Sequence, residues 1–139
     1  MKQDLTEMAK QLVKECHGFI EANNYEILKV EENYCELEGI LSESSLNNLG
    51  VAHGGYIFGL ADTAAGIAAM TNGGNVVTVD SNISYFKPAK GDRIIAKANA
   101  IKVGKTISVF EVEILDEKSD MVARATMTFY NIGNNEKNK

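Results

Sequence analysis

Asp62 is the one charged side chain between Gly54 and Thr71, a run made otherwise of Gly, Ala, apolar and hydroxyl residues. A carboxylate is costly to bury without a partner or a task, so general-base or nucleophilic chemistry is its first expected use. Gly55, Gly59, Asp62 and Gly66 fall on one helical stripe at spacings of four, three and four, which would flank the carboxylate with bare backbone. Glycine inside a helix costs up to about 1 kcal/mol. The stripe therefore serves either close approach of a substrate or tight packing of the helix. Just upstream, His53, Gly54 and Gly55 open the run. A helix start there presents unpaired amides and the positive end of the dipole with no side chain in the way, which is an oxyanion site in outline.

Other catalytic devices are missing from the sequence. There is no G-x-S-x-G, no G-x-x-x-x-G-K-[ST] and no C-x-x-C, and His17 and His53 alone give no His-based metal site, so no metal is expected. Cys16 and Cys35 read as small buried residues rather than nucleophiles, and His17 reads the same way.

The elements that must position these groups are bounded by length and charge. The 139 residues suit a single domain over 1–132 and a disordered tail over 133–139 (GNNEKNK). Apolar residues at 45% and charged residues at 24% are those of a packed globular chain. A net charge of -5 offers no general attraction to nucleic acid or to an anionic membrane. The opening MKQDLTEMAKQL has no apolar run before a cleavage site, and two cysteines make no disulfide framework, so a cytoplasmic protein with reduced thiols is expected. Residues 54–71 would measure about 27 Å as a helix, near a bilayer core, but Asp62 and the Gly/Ala content make it a buried helix instead.

Leu5, Met8, Leu12, Cys16 and Phe19 recur at spacings of three and four, which predicts an amphipathic helix over 3–22 on the outside of the domain. Strands are predicted over 26–32 and 34–41 about Asn33, then a loop over 42–52 and the buried helix over 54–71. After Asn72, Gly73 and Gly74 the period becomes two, giving strands over 76–86, 93–103, 106–115 and 121–131. Short turns between successive strands predict antiparallel pairing of sequence neighbours. The alternating Ala96, Ala98 and Ala100, and Ala123 and Ala125, suit a sheet that closes on a single helix. The fold class is therefore α+β.

Asn47, Gly50, His53, Gly54 and Gly55, followed by Leu60, Ala61 and Asp62, together resemble the hotdog-fold acyl-CoA thioesterases of the phenylacetate-degradation type. The likeness extends over about residues 40–131, through V-T-V-D-S-N-I-S-Y (Val77 to Tyr85) and K-V-G-K-T (Lys102 to Thr106). It implies an antiparallel sheet wrapped around one central helix, with an N-terminal helix added, dimers joined sheet edge to sheet edge, and tetramers of two dimers. It further implies hydrolysis of an acyl-CoA to a free acid and coenzyme A. The Gly54 amide would be the donor to the thioester carbonyl, with Gly55 beside it and His53 supporting the loop. Asp62 would be general base or nucleophile, with Asn47 and Thr78 orienting the attacking water. No cofactor is implied, because coenzyme A is part of the substrate. A hydratase or dehydratase is disfavoured, because no second histidine follows Asp62, and a non-catalytic acyl-CoA-binding protein is the remaining alternative.

Coenzyme A brings phosphates that an acidic chain must meet with a local cluster. Lys87, Lys90 and Arg93 around Pro88, and Lys102 and Lys105 around Gly104, are the candidates, while Tyr56, Phe58, Tyr85 and Phe86 are candidates for the walls of an acyl pocket. Helix geometry adds a constraint on assembly. Gly54 and Asp62, eight residues apart, are separated by about 12 Å along one helix, too far for one thioester carbon to meet both. Two antiparallel copies would complete each site from two chains.

Overall fold

The computed structural model describes residues 4–15 and 18–133. Cys16, His17 and the expected tail from residue 134 onward lie outside the described residues. The elements run α1 (Leu5–Glu15), α2 (Phe19–Ala22), β1 (Tyr25–Glu31), β2 (Tyr34–Ile40), a 3-10 turn (Glu43–Ser45), α3 (Gly54–Met70), β3 (Asn75–Tyr85), β4 (Arg93–Val103), β5 (Ile107–Leu115) and β6 (Met121–Gly133). β6 thus reaches one residue into the segment expected as tail.

One six-stranded antiparallel sheet, in the order β1-β2-β4-β5-β6-β3, curls around α3, which touches all six strands. Alanine makes the close approach possible. Ala61, Ala64, Ala65 and Ala68 of α3 and Ala96, Ala98 and Ala123 of the sheet are fully buried, interleaved with Leu37, Leu60, Ile94, Phe110, Val112, Ile114 and Met127. Among the described residues no helix is long and apolar enough to cross a membrane.

Two expectations are corrected. The helix expected over 3–22 is two pieces, because the chain leaves helical geometry at Gly18 (φ 159°, ψ -129°). The break lets the Phe19 ring turn back to Tyr25, with ring centroids 5.8 Å apart. On α1 it is Leu5, Ala9 and Val13 that pack against the core, while Met8 and Leu12, expected on the buried stripe, are each 48% exposed. The second correction concerns pairing. β3 does not pair with its sequence neighbour β4; it crosses to the far edge and pairs with β6, while β4 pairs with β2 and β5. Residues 86–92 form a seven-residue connection, long enough to pass over two strands spaced about 4.8 Å apart, and the inward face of β3 is needed against the open flank of α3.

Candidate active site

The loop ahead of α3 is fixed by its own backbone. His53 N–H donates to the Ser45 carbonyl at 2.8 Å, Ala52 N–H to Ala89 at 3.1 Å, and Leu46 bridges Ala52. Asn47 belongs to this loop: its Oδ1 accepts from the Leu49 amide at 2.8 Å and the Val51 amide at 3.3 Å. Among the described residues no hydrogen bond joins Asn47 to Asp62 or Thr78, and its Nδ2 is uncommitted.

His53 is the N-cap of α3, and its Nδ1 accepts from the Gly55 amide at 2.8 Å. In the neutral imidazole the proton is then on Nε2. The Tyr56 and Ile57 amides donate to the His53 carbonyl. This leaves the Gly54 N–H, of the first four in the helix, with no protein acceptor among the described residues. The Gly54 carbonyl accepts from Tyr85 Oη at 2.8 Å, so the tyrosine braces the turn that carries the free amide. Burial pushes the Tyr85 hydroxyl above its ordinary value, so it serves as a neutral donor at pH 7.

Two turns further along α3, Thr78 Oγ1 donates to Asp62 Oδ1 at 2.7 Å. Asp62 is half-buried rather than enclosed, on the flank of α3 that faces β3. A bulge in β3 between Thr78 and Asp80 sets this contact: Thr78 pairs with Phe129 and Ser81 with Met127, so both inner-facing positions flank the extra residue Val79. Bulges re-aim side chains in this way.

The glycine stripe divides into two uses. A Cβ on Gly59 would lie 2.6 Å from Tyr25 Oη and 3.0 Å from the Phe19 ring, so Gly59 serves packing. A Cβ on Gly66 would meet only Phe129 Cε1, at 3.8 Å. Packing does not require that glycine.

The lysines also separate. Lys87 Nζ sits 3.1 Å from both Asp116 Oδ2 and Asp120 Oδ2, and the two aspartates hold its ammonium above the ordinary lysine value. Its charge is spent within the chain, against the expectation of a phosphate contact. The acid-rich Asp116 to Asp120 turn was the sequence signal for this capture. Arg93 pairs with Glu38 at 3.0 Å. Lys102 and Lys105 are exposed and form no ion pair among the described residues. Between them, a Cβ on Gly104 would be driven into the Ile107 carbonyl oxygen, so the turn requires glycine there.

Tyr56 is core, its hydroxyl donating to the Asn23 carbonyl at 2.7 Å, whereas Tyr85 and Phe86 remain exposed. Cys35 is buried, and desolvation pushes its thiol up to about 12, which removes it as a nucleophile. Among the described residues no three His, Cys, Asp or Glu side chains form a group that could hold a metal ion.

An unpaired amide at a glycine helix start and a hydroxyl-braced carboxylate are the parts of an acyl-transfer site. Residues 49–123 match the thioesterase superfamily. The chain belongs to that family. Mouse acyl-coenzyme A thioesterase 13 is 33% identical over 84% of this chain and 86% of its own. Among solved structures, this thioesterase-superfamily chain is similar to Escherichia coli PaaI, from the phenylacetic acid degradation operon. The TM-score is 0.87 at 25% identity, covering 94% of this chain and 95% of the other. A Streptococcus mutans protein solved with acetyl-CoA matches with a TM-score of 0.79 at 31% identity, covering 86% of this chain and 95% of the other.

Proposed function

We propose that the protein hydrolyses acyl-CoA thioesters to a free carboxylic acid and coenzyme A. The Thr78–Asp62 contact carries the reading, because it occupies one carboxylate oxygen and orients the other toward a water or an acyl carbon. The mouse relative named an acyl-CoA thioesterase and the acetyl-CoA-bound streptococcal relative support it. The Gly54 amide donates to the thioester carbonyl as negative charge develops, a contribution of about 10² to 10³ in rate. Asp62 removes a proton from a water that attacks the acyl carbon, or attacks that carbon itself to give an anhydride that water then hydrolyses. By either route the C–S bond breaks, coenzyme A leaves as its thiolate and takes up a proton, and the acyl group leaves as the acid. Thr78 and the Asn47 amide orient that water. The departing thiol, with a pKa near 8.5, needs no strong acid catalyst. Lys102 and Lys105 meet the phosphates of coenzyme A. Neither a metal nor a redox cofactor is called for, and the cytoplasm is the expected location.

The site is completed by a second copy. β3 is a sheet edge eleven residues long, with Val79 56% exposed, and such an edge invites pairing with its own copy. A two-fold axis beside β3 sets the two α3 helices antiparallel, so Gly54 and His53 of one chain face Asp62 and Thr78 of the other. The outer face of β3, β5 and β6 carries exposed Val77, Ile107, Tyr130 and Ile132, an apolar patch suited to joining two dimers as a tetramer.

Incubation with acetyl-, butyryl-, crotonyl-, 3-hydroxybutyryl-, phenylacetyl- and palmitoyl-CoA in the presence of a thiol reagent tests the reading. Free thiol from at least one substrate is expected. An altered acyl group with the thioester retained would mark a hydratase, and binding without turnover a non-catalytic protein. Either result overturns the proposal.

A further inference from the structure

Among the described residues, β3 sends two side-chain hydrogen bonds to α3. Thr78 Oγ1 donates to Asp62 Oδ1 at 2.7 Å, and Tyr85 Oη donates to the Gly54 carbonyl at 2.8 Å. The first lands on the proposed base and the second on the residue that carries the proposed oxyanion donor. Tyr85 is rooted in the sheet: it pairs with Ala123 of β6, and the next amide, Phe86 N–H, donates to the Val122 carbonyl at 2.7 Å. Its phenol lies against the helix start, where a Cβ on Gly54 would sit 3.5 Å from Tyr85 Oη and 3.6 Å from Cζ. The residue is half-exposed, so filling the core does not account for it.

The start of α3 needs a restraint. Neither Gly54 nor Gly55 has a positive φ, so the backbone conformation does not call for glycine at either position, and the pair has more freedom to lose on folding than any other dipeptide. An oxyanion donor contributes only as far as it is held in place before charge develops. Here two side chains act on one peptide group. The plane between Gly54 and Gly55 has its carbonyl held by Tyr85 from β3, and its N–H held at 2.8 Å by Nδ1 of the preceding His53. Pinned at both ends, that plane fixes ψ of Gly54, and the Gly54 N–H on the other side of the same Cα keeps its direction.

We propose that Tyr85 is a positioning residue for thioester hydrolysis: its hydroxyl holds the Gly54–Gly55 peptide so that the Gly54 amide is aimed at the developing oxyanion, and it does not bind the substrate. The inference rests on the thioesterase reading. Where Gly54 comes from one chain and Asp62 from its partner, each β3 serves both sites. It orients the base of one through Thr78 and the oxyanion donor of the other through Tyr85.

The test is Tyr85→Phe in the full chain, which keeps the ring and deletes the hydroxyl. Outright loss of an oxyanion donor costs about 10² to 10³ in rate, and loosening one costs less. We expect kcat per folded protein to fall about tenfold with KM for acetyl-CoA within about twofold of wild type, and the same fall for a short acetyl thioester lacking the nucleotide. A second readout needs no substrate. In protein carrying isotope-labelled glycine, hydrogen exchange of the Gly55 amide is expected to quicken about three- to tenfold, as loss of one hydrogen bond from its peptide allows, with Gly59 and Gly66 unchanged. A raised KM with unchanged kcat would make Tyr85 a substrate contact, and unchanged kcat and Gly55 exchange would leave it without a role in the turn. Either result overturns the proposal. A loss of activity that only follows the folded fraction, with exchange quickened at Gly59 and Gly66 as much as at Gly55, marks general destabilisation and also overturns it. If the wild type releases no thiol from any acyl-CoA, the thioesterase reading falls instead, and Gly55 exchange still decides whether Tyr85 holds the turn.

Discussion

At 2.7 Å from Asp62 Oδ1, the Thr78 hydroxyl makes the carboxylate directional, holding one oxygen and leaving the other for the reaction. Asp62→Asn keeps the size and loses the base, so kcat is expected to drop by about 10² or more with the fold intact. Thr78→Val keeps the shape and removes the donor, with a smaller expected loss of about tenfold. Steady-state rates of folded variants decide both, and near-normal turnover in Asp62→Asn would remove the carboxylate from the mechanism. The lysines separate at the same scale. Lys102→Gln with Lys105→Gln is expected to raise KM for acyl-CoA more than for a short thioester lacking the nucleotide. Lys87→Gln is expected to leave that difference unchanged, because Asp116 and Asp120 already neutralise the ammonium. Rising salt should weaken the wild type in the same selective way.

Element by element, α3 was legible because an apolar run with a glycine start and a Gly73–Gly74 stop has few alternatives. The β4, β5 and β6 strands were legible because their period is two and their turns are short. Strand order was not. Whether β3 folds back on β4 or crosses to β6 depends on which surface of α3 is left uncovered, a tertiary property that no local pattern carries. The helical period misleads on α1 for a related reason: of its expected stripe Leu5 packs on the core, but Ala9 and Val13 join it there while Met8 and Leu12 stay half-exposed. Of the candidate site, the residue types at His53, Gly54, Asp62 and Thr78 are legible in the sequence; the structure sets His53 as the cap of α3 and joins Thr78 to Asp62, and their catalytic roles belong to the proposed function. Tyr85, expected against substrate, also braces Gly54 through a hydrogen bond between residues 31 apart in sequence, which no local pattern carries. Gly59, expected beside the carboxylate, makes room for Tyr25 and Phe19. That use has a measurable consequence. Gly59→Ala would force Tyr25 Oη off the Tyr56 carbonyl it now meets at 2.7 Å, and overpacking of this kind costs about 1 to 3 kcal/mol. The urea midpoint should fall accordingly. An unchanged or raised midpoint, as helix propensity alone would give, would show that the aromatic cluster relaxes freely.

For the whole molecule, burial of acidic hydroxyl and thiol groups sets a limit at alkaline pH. Desolvation raises Cys35 from 9.0 to about 12 and Tyr56 from 10.0 to about 12, and also raises Tyr25. A raised pKa means that the folded state keeps a proton the unfolded chain has lost, so this stability is complete below about pH 9 and is lost as pH climbs toward 12. The urea midpoint should therefore be level near neutrality and fall above about pH 10, less steeply in Tyr56→Phe. The same scale decides whether one chain can act alone. α3 is unbroken from Gly54 to Met70, so the Gly54 amide and Asp62 stay about 12 Å apart along its axis. A single thioester carbon cannot be within about 3 Å of the reach of both. Two inactive variants test the shared site: Asp62→Ala, and Gly54→Pro, which deletes the oxyanion amide. Proline is compatible with that position because Gly54 is the first helical residue and His53 before it is extended, with φ -63° and ψ 139°. Co-refolded with random pairing, half the dimers are mixed, and each mixed dimer joins the intact Gly54 of one chain to the intact Asp62 of the other in one of its two sites. Activity should return to about a quarter of wild type. If both variants fold and exchange subunits and the mixture stays inactive, each chain must carry its own complete site, and the oxyanion donor must then be sought nearer to Asp62 than the start of α3.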